Sequence, residues 1–124
     1  MKTIALIAHD GKKDELVGFA MKFQRDLAAY SLVGTGTTAR LVINRVGLNI
    51  TGLKSGPLGG DVQIANIVLS GEVAAVIFFV EQMDVHPHDP DIQTLQRICN
   101  ITDTPLATNP STAALIMRGL SSMA

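Results

Sequence analysis

The sequence predicts an α/β fold in which a mainly parallel sheet of about five strands lies between two layers of helices. Apolar stretches alternate with helical patterns along the chain, and several of the apolar stretches are unbroken, as in strands covered on both faces. A strand followed by a helix, repeated, favours parallel pairing with helices on both faces. Because 124 residues suit one core and not two, we predict a single-domain three-layer sandwich over residues 1–124.

Five apolar stretches are the predicted strands, and the segments between them are the predicted helices. The strands are TIALIA, YSLVGTG, NITGL, VAAVIFFV and TPLAT, which begin at residues 3, 30, 49, 73 and 104. The helices are KKDELVGFAMKFQRDLAAY, TTARLVINRVG, DVQIANIVLSG, DIQTLQRICN and PSTAALIMRGL, which begin at residues 12, 37, 61, 91 and 110. Leu16, Phe19, Ala20 and Phe23 illustrate the helical spacing of apolar residues.

Charge and composition exclude several classes of protein. Ten Lys plus Arg against eleven Asp plus Glu give a formal charge of -1, so no basic field is available to hold nucleic acid. No apolar run approaches the roughly 20 residues that cross a bilayer, so we expect a soluble protein without a membrane partner. An apolar fraction of 47% on a short chain favours self-association.

The single cysteine bears on compartment and metal binding. Cys99 cannot form an internal disulfide and falls in an apolar helical pattern, which favours the reducing cytoplasm. The sequence has no CxxC and no His-x3-His pair, so a structural zinc site has little support, and we predict no metal site.

The strand-to-helix junctions are the candidate functional positions, because ligands bind at the carboxyl ends of the strands in such sheets. The junctions are AHDGKK, GTGTT, KSGPLGGD, HPHDPD and ATNPST. They hold all three histidines, most of the glycines and four of the five prolines. Polar residues of chemical interest are therefore concentrated where the predicted architecture places a site.

Two junctions could bind an anion, and each also has a structural interpretation. GTGTT, residues 34–38, places amides and hydroxyls at a helix N-terminus, which suits phosphate, although a glycine turn with a Thr N-cap would look the same. SGPLGGD, residues 55–61, has three glycines that let the backbone approach a ligand. The alternative there is a turn ending in Asp61 as N-cap.

The junctions after the first and fourth strands carry the histidines. Lys12 and Lys13 begin a helix, where a cation is disfavoured by roughly 0.3–1 kcal/mol unless an anion binds there. Solvated lysines balanced by Asp14 and Glu15, with His9 as a hydrogen-bonded structural residue, are the alternative.

In HPHDPD, Asp89 is predicted as N-cap, Pro90 as the first helical residue and Asp91 in the first turn. His88 is not explained by capping. ATNPST repeats the same pattern of cap and proline with Asn109 and Pro110, and needs no function.

Taken together, hydroxyls, glycine amides and a lysine would bind a phosphate, while a carboxylate and a histidine could move protons on the carbon skeleton of a phosphate ester.

Four junction motifs, in their order and at their separations, resemble those of methylglyoxal synthase. They are IAHDGKK, GTGTT, SGPLGGD and PHDPD. The resemblance runs from about Thr3 to ATNPSTA near Ala113. It implies a methylglyoxal synthase-like fold and conversion of dihydroxyacetone phosphate to methylglyoxal and inorganic phosphate. It further implies no metal or organic cofactor, a homohexamer, and inhibition by the phosphate product.

The resemblance also implies roles for individual residues. Asp61 matches the carboxylate that removes the carbon-bound proton, His88 the histidine that works on the substrate's carbonyl and hydroxyl oxygens, and Asp91 a supporting acid. The implied substrate and phosphate contacts are His9, Lys13, Thr35, Gly36, Thr37, Thr38, Ser55 and Gly56. Behind these contacts, the residues implied to support them are Asp10, Gly60 and Glu81.

One departure from the family pattern falls beside the site. Relatives often have FFWDP or FFRDP where this chain has FFVEQ, so Glu81 replaces an Asp and Gln82 a Pro. The longer carboxylate side chain is expected to reshape the wall of the site.

The alternative function is a ligand-sensing module, since domains of this fold serve as effector-binding regions in carbamoyl phosphate synthetase. A sensor would need the phosphate contacts but not Asp61, His88 and Asp91 together. We therefore favour the enzyme. A silent assembly domain would explain none of the junctions.

Overall fold

The computed structural model describes residues 2–54, 59–84 and 91–123. One five-stranded sheet runs through this part of the chain, and all its strand pairs are parallel. The strands are β1 Thr3–Ala8, β2 Ser31–Thr35, β3 Ile50–Leu53, β4 Val73–Phe79 and β5 Leu106–Ala107. Each lies inside the stretch predicted for it, so the α/β class and the five strands are confirmed.

Helices follow the strands as the alternating pattern predicts. They are α1 Lys13–Lys22, α2 Gln24–Leu27, α3 Gly36–Val46, α4 Gly60–Leu69, α5 Ile92–Thr102 and α6 Pro110–Met123. A 3-10 turn at Asp10–Lys12 precedes α1. The predicted first helix is interrupted at Phe23, which ends α1 and precedes α2. None of the helices in the described segments is long and apolar enough to cross a membrane.

The helices cover both faces of the sheet, which gives the predicted three layers. One core joins α1, α3 and α6 to one face, and a second core joins α4 and α5 to the other. In the central strands β1 and β4, Ile4–Ala8 and Ala75–Phe79 are at most 1% exposed. This complete burial explains why both strands appear in the sequence as unbroken apolar runs.

Cys99 lies in the second core beside Leu95, as the helical pattern predicts. Burial raises the pKa of the Cys99 thiol above its ordinary value. The thiol is therefore a packing group rather than a reactive nucleophile.

Three helix caps test the structural interpretations of the junctions. The side chain of Asn109 accepts a hydrogen bond from the backbone N of Thr112 at 3.0 Å, so the predicted cap of α6 is confirmed. Asp91, with an extended backbone, is the N-cap of α5 and accepts from the Gln93 N at 2.9 Å. The prediction that the cap lies at Asp89 with Asp91 in the first turn is therefore wrong.

Asp61 is not an N-cap either. Helix α4 begins at Gly60, and its N-cap is Gly59 with φ 97°, a left-handed conformation that suits glycine. Asp61 consequently lies in the first turn, where its Oδ1 accepts a hydrogen bond from the Val62 N at 3.0 Å. The carboxylate still has a favourable position relative to the helix dipole.

The order of the strands places the switch point of the sheet between β1 and β4. The sheet runs β3-β2-β1-β4-β5, so β2 and β3 lie on one side of β1, and β4 and β5 on the other. In open α/β sheets, the crevice at the carboxyl ends of strands beside such a reversal is the usual ligand site. His9 follows β1 there, and Glu81 lies two residues after β4.

Candidate active site

The imidazole of His9 is held at the switch point by β4 and the loop that follows it. Only 4% of the residue is exposed, and its backbone N donates to the Phe79 carbonyl at 3.0 Å. Its Nδ1 accepts a hydrogen bond from the backbone N of Glu81 at 3.0 Å. The ring also meets Phe78 edge-on, with 5.3 Å between the ring centroids. His9 is thus fixed in place at the sheet's carboxyl edge.

Lys13 points back toward the end of β1 rather than out to solvent. Its Nζ lies 2.7 Å from Asp10 Oδ1 and 3.2 Å from the Ala8 carbonyl oxygen, with 15% of the side chain exposed. Asp14 does not balance this charge, because it pairs with Arg45 on α3. The alternative of two solvated lysines balanced by Asp14 and Glu15 is therefore wrong for Lys13.

Lys12 links the two loops that flank the switch point. Its Nζ lies 3.2 Å from Glu15 Oε1 and 3.5 Å from Glu81 Oε2. Glu15, and to a lesser extent Glu81, raises the pKa of Lys12. The pKa of Glu81 is lowered, mainly by the hydrogen bond from the Met83 backbone N–H and to a lesser extent by the positive charge of Lys12. This carboxylate is therefore ionised at neutral pH.

The turn from β2 into α3 presents hydroxyls and amides at the next strand end. Thr35 is the N-cap of α3 but makes no side-chain cap; its Oγ1 instead lies 3.4 Å from Thr38 Oγ1. Both residues are buried, whereas Gly36 is half-buried and Thr37 is exposed. The first amides of α3 lack helical partners and favour an anion. We call residues 35–38 the threonine turn.

Close packing brings the start of α4 to the threonine turn. A Cβ on Gly60 would overlap the Lys54 carbonyl oxygen and would lie 3.0 Å from Thr35 Cγ2. The Lys54 backbone N donates to Gln63 Oε1 at 2.8 Å, which ties the same helix to the end of β3. Asp61 is half-buried and directly follows Gly60 in the first turn of this helix.

The described side chains of the site thus form two groups, with Asp91 separate from both. His9, Asp10, Lys13 and Glu81 surround the ends of β1 and β4, while the threonine turn contacts Gly60 next to Asp61. Asp91 is exposed at the start of α5, where its described hydrogen bond is the cap. Ser55, Gly56 and His88 lie outside the described residues, as do the predicted cap Asp89 and the following Pro90.

The donors suit an anion more than a metal ion. Hydroxyls, free helix amides and an ammonium group can bind a phosphate, and a carboxylate and an imidazole can handle protons. Across residues 2–54, 59–84 and 91–123, no group of three His, Cys, Asp or Glu side chains could hold a metal ion.

Three residues of these junctions make supporting contacts that the sequence did not predict. Lys12 pairs with Glu81, Gly11 lies against the Glu81 side chain, and Gly34 leaves no room for a Cβ, which would lie 2.7 Å from the Leu6 carbonyl. The two glycines were visible in the junction motifs. Their contacts with Glu81 and Leu6 depend on the strand order, in which β1 lies between β2 and β4.

Known proteins resemble the chain over nearly its whole length. The family model described as MGS-like domain matches residues 15–108. A methylglyoxal synthase of Lysinibacillus sphaericus is 47% identical over 117 residues, which cover 94% of this chain and 87% of the relative. One from Thermus thermophilus is 49% identical over 109 residues, covering 88% of this chain and 86% of the relative.

A solved structure agrees with these relatives. The methylglyoxal synthase of Elizabethkingia anophelis NUHP1 matches with a TM-score of 0.91 at 40% identity, covering 94% of this chain and 76% of that one. The chain therefore belongs to the MGS-like family, the family of these methylglyoxal synthases.

Proposed function

We propose that the protein is a methylglyoxal synthase, a carbon–oxygen lyase that converts dihydroxyacetone phosphate to methylglyoxal and inorganic phosphate. The observation that carries the proposal is the close contact of Gly60, the residue before Asp61, with Thr35 of the threonine turn, while His9 and Lys13 lie at the end of the neighbouring strand β1. That arrangement joins an anion-binding surface to a proton acceptor. Relatives that cover most of the chain are named methylglyoxal synthase, which supports the same reaction.

The reaction begins with proton abstraction. The Asp61 carboxylate takes a proton from the carbon next to the ketone, and the C–H electron pair moves into an enediolate. Hydrogen-bond donors at the carboxyl edge stabilise the negative oxygen that develops. His88 and Asp91 are proposed to act on the substrate oxygens and to support that step, by resemblance to the family.

Elimination then breaks the bond between carbon and the bridging oxygen. The enediolate electrons expel the phosphate, which leaves with that oxygen, and the enol that remains becomes methylglyoxal by proton transfer. Lys13, the threonine turn, Ser55 and Gly56 are proposed to bind the phosphate throughout. Expulsion requires the breaking C–O bond to lie out of the enediolate plane, so that it overlaps the π system. Holding the phosphate at that angle is the task of the anion-binding residues.

The domain is proposed to span residues 1–124, to act in the cytoplasm and to need no metal or organic cofactor. A sensor of the same fold would need the anion-binding residues but would leave Asp61 and the lyase machinery without a role.

Purified protein incubated with dihydroxyacetone phosphate should release methylglyoxal and phosphate in equal amounts, with no loss of rate in EDTA. Equal amounts are expected because each elimination yields one of each product. Both products are assayed in the same reaction. Release no faster than spontaneous decomposition of the substrate, or loss of activity on chelation, would contradict the proposal.

Asp61→Asn should lower kcat by about 10²–10⁴-fold or more, because an amide cannot accept the proton. The Asn oxygen can still accept the hydrogen bond from the Val62 N, and Asp61 is not the N-cap, so the thermal midpoint should change little. The control is Asp103→Asn, the same change at an exposed turn with φ 55°, which Asn also tolerates. A near-normal kcat in Asp61→Asn would remove Asp61 as the base.

Lys13→Ala should weaken phosphate binding roughly ten- to hundredfold, which corresponds to losing a charge-assisted hydrogen bond of about 1.5–3 kcal/mol. Calorimetric titration with inorganic phosphate measures the effect. Lys22→Ala removes the same charge from the other end of α1 and should leave the phosphate affinity unchanged. Equal affinities in the wild type and Lys13→Ala would show that Lys13 is not a phosphate ligand.

The protein should self-associate, and the resemblance to a hexameric family makes a homohexamer the proposed state. Val62 and Leu69 on α4 and Ile101 on α5 are each more than half exposed, although all three are apolar. Burial of such side chains between subunits would stabilise an oligomer. For the proposed hexamer, light scattering at micromolar concentration should give six times the 13.2 kDa chain mass. A monomer would contradict self-association, and a dimer or trimer would contradict the hexamer.

A further inference from the structure

We propose that the backbone N–H of Glu81 fixes His9 as the neutral tautomer with its hydrogen on Nε2, and that His9 therefore serves as a hydrogen-bond donor. In this role His9 neither takes up nor releases a proton during the reaction. The identity of the acceptor, an oxygen on the substrate's carbon skeleton, rests on the proposed function. The tautomer itself rests only on hydrogen bonds within the protein.

The ladder between β1 and β4 continues beyond the last paired residues of the two strands. These strands pair in parallel up to Ala8 and Phe79, and the His9 backbone N continues the ladder by donating to the Phe79 carbonyl at 3.0 Å. In a regular parallel ladder, the next bond would run from the Glu81 N–H to the His9 carbonyl. That carbonyl instead accepts from the Lys12 N at 2.8 Å, because the chain turns after His9.

The imidazole takes over the missing acceptor position. His9 Nδ1 accepts the Glu81 N–H at 3.0 Å, so the side chain extends the ladder by one bond after its own carbonyl has turned away. A backbone N–H can only donate, and the accepting nitrogen must offer a lone pair. An imidazolium ion has no such lone pair, and the ring that makes this bond is therefore neutral with its hydrogen on Nε2.

The ring has little freedom to exchange this arrangement for another. His9 is 4% exposed, and Phe78, which lies next to the last bonded residue of β4, meets it edge-on at 84°. Turning the ring would break the bond to Nδ1 and leave the Glu81 N–H without this acceptor in a largely buried place, which is unfavourable. Geometry and burial thus favour the same tautomer.

Glu81 acts here through its backbone, and its carboxylate has a separate task. Glu81 Oε1 accepts from the Met83 N at 3.1 Å, and Oε2 lies 3.5 Å from Lys12 Nζ. These contacts hold the loop after β4 against the turn after β1, and so hold the N–H in line with the imidazole. Glu81 is a positioning residue, and the longer carboxylate found here in place of Asp leaves the donor itself unchanged.

A neutral donor suits one part of the proposed reaction. Phosphate already has the Lys13 ammonium and the amides of the threonine turn as possible partners. An oxygen that gains charge in the enediolate is stabilised by a donor that need not transfer its proton. The contribution of His9 should therefore be to kcat more than to KM.

The tautomer can be tested without any assay of activity. In the ¹⁵N-labelled full-length protein, NMR spectra that correlate ring nitrogens with ring hydrogens should show Nδ1 unprotonated and Nε2 protonated. A scalar coupling through the hydrogen bond should connect the Glu81 backbone nitrogen to His9 Nδ1. Glu81→Gln, which keeps the backbone N–H, should retain this coupling. A hydrogen on Nδ1, or the absence of this coupling in the wild-type protein, would overturn the assignment.

Two variants of His9 separate its acceptor from its donor. His9→Asn keeps an oxygen near the position of Nδ1 for the Glu81 N–H and lacks the Nε2 donor. Its thermal midpoint should stay near that of the wild type, while kcat should fall about 10²–10³-fold with little change in KM. His9→Gln restores an amide N–H near Nε2 and should recover part of that loss.

A kcat equal to the wild type in His9→Asn, or an effect confined to KM, would overturn the donor role. If the wild-type protein makes no methylglyoxal, the proposed function fails and the catalytic part of this inference fails with it. The NMR spectra decide the tautomer in either case, so the two failures are distinguishable.

Discussion

The pairing of β1 with β4 is the interaction on which the candidate site depends. Both strands are buried on both faces, and they lie side by side where the order of the sheet reverses. Their backbones place His9 and Glu81 at the same edge, and the last bond between them passes through a side chain rather than a carbonyl. These two deeply buried strands therefore end directly at the candidate site.

A second constraint, steric rather than polar, positions the helix that carries Asp61, the proposed proton acceptor. Gly60 packs so closely against the Lys54 carbonyl that no side chain fits between them, and Gln63 ties the same helix to the Lys54 amide. The first turn of α4 is thereby held against both β3 and the threonine turn. This packing sets the position of the Asp61 backbone, because the described hydrogen bond of its carboxylate is only to the adjacent Val62 N.

Sequence patterns predicted the elements well because burial dominates their composition. Unbroken apolar runs identified β1 and β4, and the cap at Asn109 followed from its proline and hydroxyls. Pattern could not choose between Asp89 and Asp91, since either aspartate can cap a helix and they are two residues apart. Nor could it show the interruption at Phe23, because apolar spacing continues through Leu27.

The parts of the site that the sequence could not predict are those made by distant residues. Ion pairing of Lys12 with Glu81, and the close contact of Gly60 with Lys54 and Thr35, depend on which strands are neighbours. Family resemblance supplied the names of the site residues but not these contacts. Strand order, which no short motif contains, supplied them.

The bond between Glu81 and His9 joins residues 72 positions apart, which has a consequence for how the protein matures. Contacts of such long range form late, since the loop between them must close first. A chain emerging from the ribosome with only its first three strands already carries the threonine turn but lacks the Glu81 N–H that binds the imidazole. Ordering of the histidine therefore reports that the fourth strand has joined the sheet.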